Sequence, residues 1–280
     1  MSAEISKVWP MGHCPASLLA QVQGVFTDID DTLTRDGAIE HAALSALHAL
    51  ADAGLPVVAI TGRPLGWSQP FARDWPVRAI VAENGAVALV RQGNDVLTEF
   101  AQDAPTRAAN TLRSQTVAAR ILREVPTARL ALDSAGRATD IAIDHSELAA
   151  LSAAEIAQVV ALMQAQGMTA TVSSIHINGW FGTHNKLSAA RWMLQRLFGL
   201  CLDEALPHWL FVGDSTNDQP LFKALPLTVG VANLLRFAEQ LQHWPAYITQ
   251  AERGAGFAEV ARALLAAKAQ VQFSAVSKSR

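Results

Sequence analysis

Short apolar runs rich in β-branched residues recur along this chain, and each ends in a burst of polar or acidic side chains. Residues 24–28, 56–60, 79–82, 209–212 and 227–231 are such runs, and their length and composition predict buried strands. Between the first two, Leu44, Leu47 and Leu50 return at helical spacing, predicting a helix over 40–53 that stops at Gly54. A β-α-β crossover is thereby complete by residue 61, and such units are normally parallel and right-handed. Residues 87–90 and 96–100 flank a polar stretch around Gly93 and predict a hairpin.

From about residue 104 the pattern changes. Helical spacing over 106–124 is followed by short strands over 128–132 and 139–143. A second helix over 152–166 carries Ser152 and Glu155 as a capping box, and two more strands follow over 169–173 and 174–178. This α-β-β-α-β-β order reads as a self-contained module. The first pattern then resumes: helices are expected over 187–198, 234–241 and 256–267, a last short strand over 247–249, and a turn at Gly254-Ala255-Gly256. The irregular lead-in of about 20 residues carries Pro10, Gly12 and Pro15, and the tail 278–280 is expected to fray. The expectation is an α/β protein: a Rossmann-like doubly wound parallel-sheet core over 1–103 and 183–280, interrupted by an inserted α/β domain over 104–182.

Composition narrows the class. Half of the 280 residues are hydrophobic and 17% are charged, which suits a globular chain with a buried core. A net charge of -3 gives no global footprint for nucleic acid or an anionic membrane. The two cysteines, Cys14 and Cys201, have no paired spacing for zinc or redox work. No basic region followed by an apolar run of signal length opens the chain, and no stretch approaches the roughly 18 apolar residues of a membrane helix. A cytoplasmic protein with a small-molecule partner is the expectation; oligomeric state is not legible.

The candidate chemistry lies where the strands end. Asp28, Asp30 and Asp31 crowd three acids into four positions, and Asp214, Asn217 and Asp218 follow a later strand. Open sheets keep their ligand crevice beyond the carboxyl ends of their strands. Thr61, Asn84 and the two acidic loops are therefore expected to share one edge. Crowded carboxylates repel unless a cation or a proton neutralises them. With no His or Cys beside them they suit a hard cation, and Mg2+ fits best because it takes one or two carboxylates beside water and phosphate. Lys186 and Thr61 add groups suited to phosphoryl oxygens. The plain alternative for the first stretch is an acidic turn that caps the next helix.

At this point the sequence resembles the haloacid dehalogenase-like superfamily, and within it the subclass IIB phosphatases. The resemblance covers about 22–267 and rests on four motifs in order. They are Asp28-Ile29-Asp30-Asp31-Thr32-Leu33, Thr61 after an apolar strand, Lys186 opening a helix, and Gly213-Asp214-Ser215-Thr216-Asn217-Asp218. Ala82-Glu83-Asn84-Gly85 and the insertion point to the subclass, in which the insertion is a cap. The resemblance implies that Asp28 is a nucleophile forming an aspartyl phosphate and that Asp30 is the proton shuttle. It implies Mg2+ held by the Asp28 side chain, the Asp30 carbonyl and Asp214, with Asn217 or Asp218 directly or through water. Thr61 and Lys186 would hold the transferring oxygens. Taking Asp30 as nucleophile would place Thr32, a poor proton shuttle, in the acid/base position. Asp31 stands where many relatives have Gly and receives no role. The stretch from Tyr247 to Val260 is similar to the mannosyl-3-phosphoglycerate phosphatase branch, with sucrose-phosphate phosphatases nearby, although Phe257 stands where Trp is usual.

Several residues keep two readings. Lys186 is a phosphate ligand or a solvated helix start, and Asp218 a metal partner or a cap. Arg63, with Gly62 before it, contacts substrate or ties cap to core; Asn84 positions phosphate or satisfies a loop. Ser174, His176 and Asn178 alternate along an expected strand, so they line a cleft together or face solvent together. The expected activity is Mg2+-dependent hydrolysis of a small phosphorylated metabolite, sugar phosphates first. The alternatives are a phosphosugar mutase and a non-catalytic sugar-phosphate-binding protein.

Overall fold

The computed structural model describes residues 8–148 and 150–278, with side chains up to residue 271. Ser279 and Arg280 of the tail expected to fray lie outside the described residues. The chain divides into two compact units: residues 1–60, 75–79 and 190–280 form the first, and 61–74 with 80–189 the second. The expected insertion, 104–182, falls within the second.

The first unit is built on parallel strands. In spatial order they are Trp9–Pro10, Tyr247–Ile248, Leu227–Gly230, Trp209–Gly213, Gly24–Thr27 and Val57–Ile60, each parallel to its neighbour. The last four of these are wholly buried and, apart from Thr27 and Thr228, apolar, as suits parallel strands covered on both faces. Trp209 pairs with Gly24 and lays its ring on it. A Cβ at Gly24 would come within 2.4 Å of that ring, so only glycine fits the position. The register ends at Val212 opposite Thr27, and Asp28 continues it by donating its N–H to the Val212 carbonyl at 2.9 Å. Two acid-bearing loops therefore leave the sheet side by side.

The helices His41–Asp52 and Arg253–Lys278 pack against one another in this unit. Two expectations fail here. Gly254 and Gly256 are not a turn but belong to the first turn of the long helix. A Cβ on Gly254 would lie 2.8 Å from the Glu40 side chain, so the glycine permits close approach and does not break the chain. The helix expected over 234–241 is only a 3-10 turn, Ala232–Phe237, where the Asn233 side chain bonds to distant loops.

The second unit carries the antiparallel hairpin Val87–Gln92 with Asp95–Phe100, turned at Gly93 with φ 62°. Its larger part follows the expected αββαββ order. Helix Ala104–Glu124 is capped by Asp103, whose side chain accepts from Thr106 N, and helix Ala153–Ala165 begins with the Ser152/Glu155 capping box. They cover a four-stranded antiparallel sheet ordered Thr169–Val172, His176–Trp180, Asp140–Asp144, Arg129–Leu130. Val117, Ile121, Ile143, Val159, Met163 and Ile177 fill the space between. The strand expected over 128–132 shortens to two residues because a 3-10 turn, Leu132–Gly136, begins there and Ser134 Oγ bonds back to the Ala131 carbonyl. Helix Leu65–Asp74 was not anticipated; Pro70 inside it reads as a breaker in sequence. No helix among the described residues is long and apolar enough to cross a membrane.

Candidate active site

In the first unit the strand ends gather acids. Asp28 is 4% exposed, Asp30 8%, and Asp214 and Asp218 are fully buried. One carboxylate oxygen from each of Asp28, Asp214 and Asp218 lies within 4.8 Å of the others. Three buried carboxylates at that spacing repel one another, and a compensating positive charge among them would relieve the repulsion. The donors are all oxygen, so among metals the set fits a hard divalent cation. Asp30 is not in the cluster. Asp218 serves a second purpose: its Oδ2 accepts the N–H groups of Asp214 at 2.9 Å and Ser215 at 3.1 Å, folding the loop upon itself. Gly213 makes room for this, since a Cβ there would meet that oxygen at 2.4 Å. Asn217 is 7% exposed and its Oδ1 accepts from Ser215 Oγ at 2.9 Å.

Asp31, which had no role in the sequence, turns to another partner. Its Oδ1 accepts from Arg253 Nε at 2.7 Å, and its backbone is left-handed at φ 55°. Asn233, unmarked by any motif, donates to the Asp31 carbonyl and to Asp214 Oδ2.

In the second unit Thr61 is fully buried; its N–H donates to the Val81 carbonyl and its Oγ1 accepts the Arg63 N–H at 3.0 Å. Asn84 donates its backbone N–H to the Thr61 carbonyl at 2.9 Å. A Cβ at Gly62 would lie 3.2 Å from Asn178 Oδ1 and 3.3 Å from Asn84 Nδ2, so these three residues converge. Both amide atoms are buried with no hydrogen-bond partner, which leaves one donor and one acceptor for a polar ligand group. Lys186 opens helix Lys186–Phe198 and is 1% exposed, which removes the solvated-helix reading.

Arg63 is engaged by carboxylates of the same unit. Its Nη1 meets Asp133 and its Nη2 Glu147, each at 3.2 Å, and its plane lies over Trp67 at 5.1 Å from the ring centre. His176 Nε2 reaches Glu147 at 3.0 Å, so His176 joins the same network. His176 and Asn178 do share a strand, whereas Ser174 does not. It sits in the turn before it, where Ser173 Oγ accepts from the N–H groups of Ile175 and His176 and delays the strand until His176. Arg137 grips both oxygens of Asp140, at 2.9 and 3.0 Å, and reaches Asp133 at 3.0 Å. Burial pushes the Asp140 carboxyl up to about 7 against the pull of Arg137. Sequence reasoning missed Asp133, Arg137, Asp140, Glu147 and Asn233, since isolated polar residues carry no spacing signal.

The hydrogen bond to His176, aided by the charge of Arg63, pulls Glu147 from an ordinary 4.5 to about 2. A depressed carboxyl adds stability that is complete above pH 4.5 and is lost as pH falls through about 2. Partial exposure limits the contribution to about 1 kcal/mol. Glu147→Gln should therefore be less stable than wild type at pH 6, with the gap closing between about pH 4.5 and 2. Urea unfolding at several pH values reads this directly, and a gap that is constant with pH refutes it.

Residues 25–124 match the model of the haloacid dehalogenase-like hydrolase family. No curated protein matches the sequence. Among solved structures, a Thermoplasma acidophilum protein superposes with a TM-score of 0.66 at 18% identity, covering 87% of this chain and 98% of that one. The sucrose-phosphatase of Synechocystis, solved with sucrose and phosphate, gives a TM-score of 0.62 at 16% identity over 87% of this chain and 98% of its own. A haloalkanoate-superfamily phosphatase from Bacteroides thetaiotaomicron gives 0.59 at 18% identity over 92% and 98%. Fold and acid cluster together define a Rossmann-like protein with buried carboxylates at its strand ends and an αββαββ insertion. Over residues 25–124 the chain is similar to the haloacid dehalogenase-like hydrolases, the resemblance its four motifs implied.

Proposed function

We propose that the protein is a Mg2+-dependent phosphatase that hydrolyses a small phosphorylated metabolite, sugar phosphates first. The observation that carries this reading is the buried trio Asp28, Asp214 and Asp218, each with an oxygen within 4.8 Å of the others. Mg2+ would be held by Asp28, Asp214, Asp218 and the Asp30 carbonyl, and would supply positive charge to the phosphoryl oxygens. Asp28 is the nucleophile: its carboxylate oxygen bonds to phosphorus as the bond to the leaving oxygen breaks, giving an aspartyl phosphate. Asp30 donates the proton that the departing alcohol needs and then takes one from the water that attacks phosphorus. Inorganic phosphate leaves and Asp28 is regenerated. Thr61 and the buried Lys186 are assigned to the transferring oxygens.

The division into a catalytic core, 1–103 with 183–280, and a cap, 104–182, belongs to the same reading. A cap that excludes water and macromolecules favours small substrates. The unpartnered amide atoms of Asn84 and Asn178 beside Gly62 support a hydroxylated substrate, because one hydroxyl both donates and accepts. Sucrose and phosphate in the Synechocystis sucrose-phosphatase support the same class.

The test is phosphate release from a panel of phosphorylated metabolites, with Mg2+ and with EDTA. Release from sugar phosphates that EDTA abolishes and Mg2+ restores is the expected result. Isomerised substrate without phosphate release, dependent on a bisphosphate, would assign a mutase. Binding without turnover in the presence of Mg2+ would assign a non-catalytic protein.

A further inference from the structure

Asn233 joins the two acid-bearing loops of the first unit. It is 2% exposed and sits in the 3-10 turn Ala232–Phe237. Its Nδ2 donates to the Asp31 carbonyl at 2.9 Å and to Asp214 Oδ2 at 3.2 Å, and its Oδ1 accepts the Arg253 N–H at 2.9 Å. A primary amide has two N–H donors, and here one is spent on each loop. Arg253 closes the circuit by donating Nε to Asp31 Oδ1 at 2.7 Å. Asp31 and Arg253 are both left-handed, at φ 55° and 53°. Non-glycine residues hold that conformation only where their surroundings over-determine it, and this circuit ties both of them.

We propose that Asn233 is a positioning residue that holds Asp214 and the Asp28–Asp31 turn at the spacing a divalent cation needs, with Asp31 and Arg253 as its clamp. The inference rests on the metal reading given above. Asp28, Asp214 and Asp218 repel one another when no cation is present, so the loops that carry them spread unless something holds them. The Asn233 amide does so with neutral donors and adds no competing charge. A ligand carboxylate fixed by such a partner binds its metal more tightly, and losing the partner typically costs about 10- to 100-fold in affinity. Arg253 reaches the metal loop only through Asp31 and acts at one further remove.

The experiment measures Mn2+ binding by paramagnetic resonance on wild type, Asn233→Ala and Arg253→Ala, with amide exchange followed in the metal-free proteins. Asn233→Ala should bind Mn2+ about tenfold more weakly or worse. It should also exchange faster at Thr32 and Leu33, whose N–H groups bond to the Ile29 carbonyl within the turn. Arg253→Ala keeps the backbone bond to Asn233 and should lose about threefold. A role in global stability alone would lower the melting temperature and leave Mn2+ affinity in the folded protein within twofold of wild type, which overturns the proposal. Should Asn233→Ala not fold, Arg253→Ala decides: threefold weaker binding supports the proposal and unchanged affinity overturns it. Absence of Mn2+ binding in wild type would remove the metal reading, and this inference with it, and is recognised because it precedes any substitution.

Discussion

Asp28→Asn is expected to abolish phosphate release while leaving the fold intact. On the proposed mechanism the Asp28 carboxylate forms the bond to phosphorus, and a neutral amide oxygen is a far weaker nucleophile. Loss of a covalent nucleophile leaves only binding and charge stabilisation, so kcat should fall by about 10^4-fold or more. The same change should not destabilise the metal-free protein. Asp28 is 4% exposed beside Asp214 and Asp218, and removing one of three repelling charges relaxes the cluster. The melting temperature in EDTA should therefore be equal to that of wild type or higher, while Mn2+ affinity falls. Stability and activity moving in opposite directions separates a nucleophile from a structural acid. If Asp28→Asn folds normally and still releases phosphate at the wild-type rate, Asp28 is not the nucleophile.

Why was Asp28 visible in the sequence while Asn233 and Glu147 were not? Asp28 ends an apolar strand, and a change from apolar to acidic within one residue is a local signal. The same is true of Asp214, and the parallel pairing of Gly24–Thr27 with Trp209–Gly213 makes their neighbourhood a consequence of strand order. The inserted αββαββ order was legible because helical and alternating periods differ over windows of a dozen residues. Asn233 had no such marker. It bonds to Asp31, 202 positions away, and no periodicity encodes a separation of that kind. Glu147 and Asp133 gain meaning only by meeting Arg63 in the fold. The failed expectations have two physical origins. Tertiary contacts set the 3-10 turn at Ala232–Phe237 and the helical Gly254, overriding the local preference used to read them. The late strand start at His176 is local, because the Ser173 hydroxyl takes the N–H groups of Ile175 and His176.

Glu83→Ala should cause the largest loss of stability of any substitution considered for this chain. Glu83 follows the strand Ala79–Ala82, is fully buried and has a left-handed backbone at φ 49°, with Asn84 left-handed after it at φ 54°. Its carboxylate is saturated by its own unit. Oε1 accepts the N–H groups of Leu65 at 3.0 Å and Ala138 at 2.8 Å, and Oε2 accepts the N–H of Thr139 at 2.6 Å and also its hydroxyl. One side chain thus satisfies three backbone donors from two segments that no sheet ladder serves. Truncation strands those donors away from water, each at about 1–3 kcal/mol. The sum is about 4 kcal/mol after relaxation, a large share of the roughly 5–15 kcal/mol that holds a folded chain together. Glu83→Gln keeps the shape and replaces one accepting oxygen with a donor that faces the Thr139 N–H, so about half of the loss should remain. Glu83 also contributes to the raised Asp140 carboxyl, and Glu83→Gln should bring that group below about 7. Urea midpoints for the two variants, with the Asp140 titration followed by carboxyl NMR, test both parts. A loss under about 1 kcal/mol for Glu83→Ala would mean that water replaces the carboxylate, and that Glu83 is dispensable for the backbone that presents Asn84.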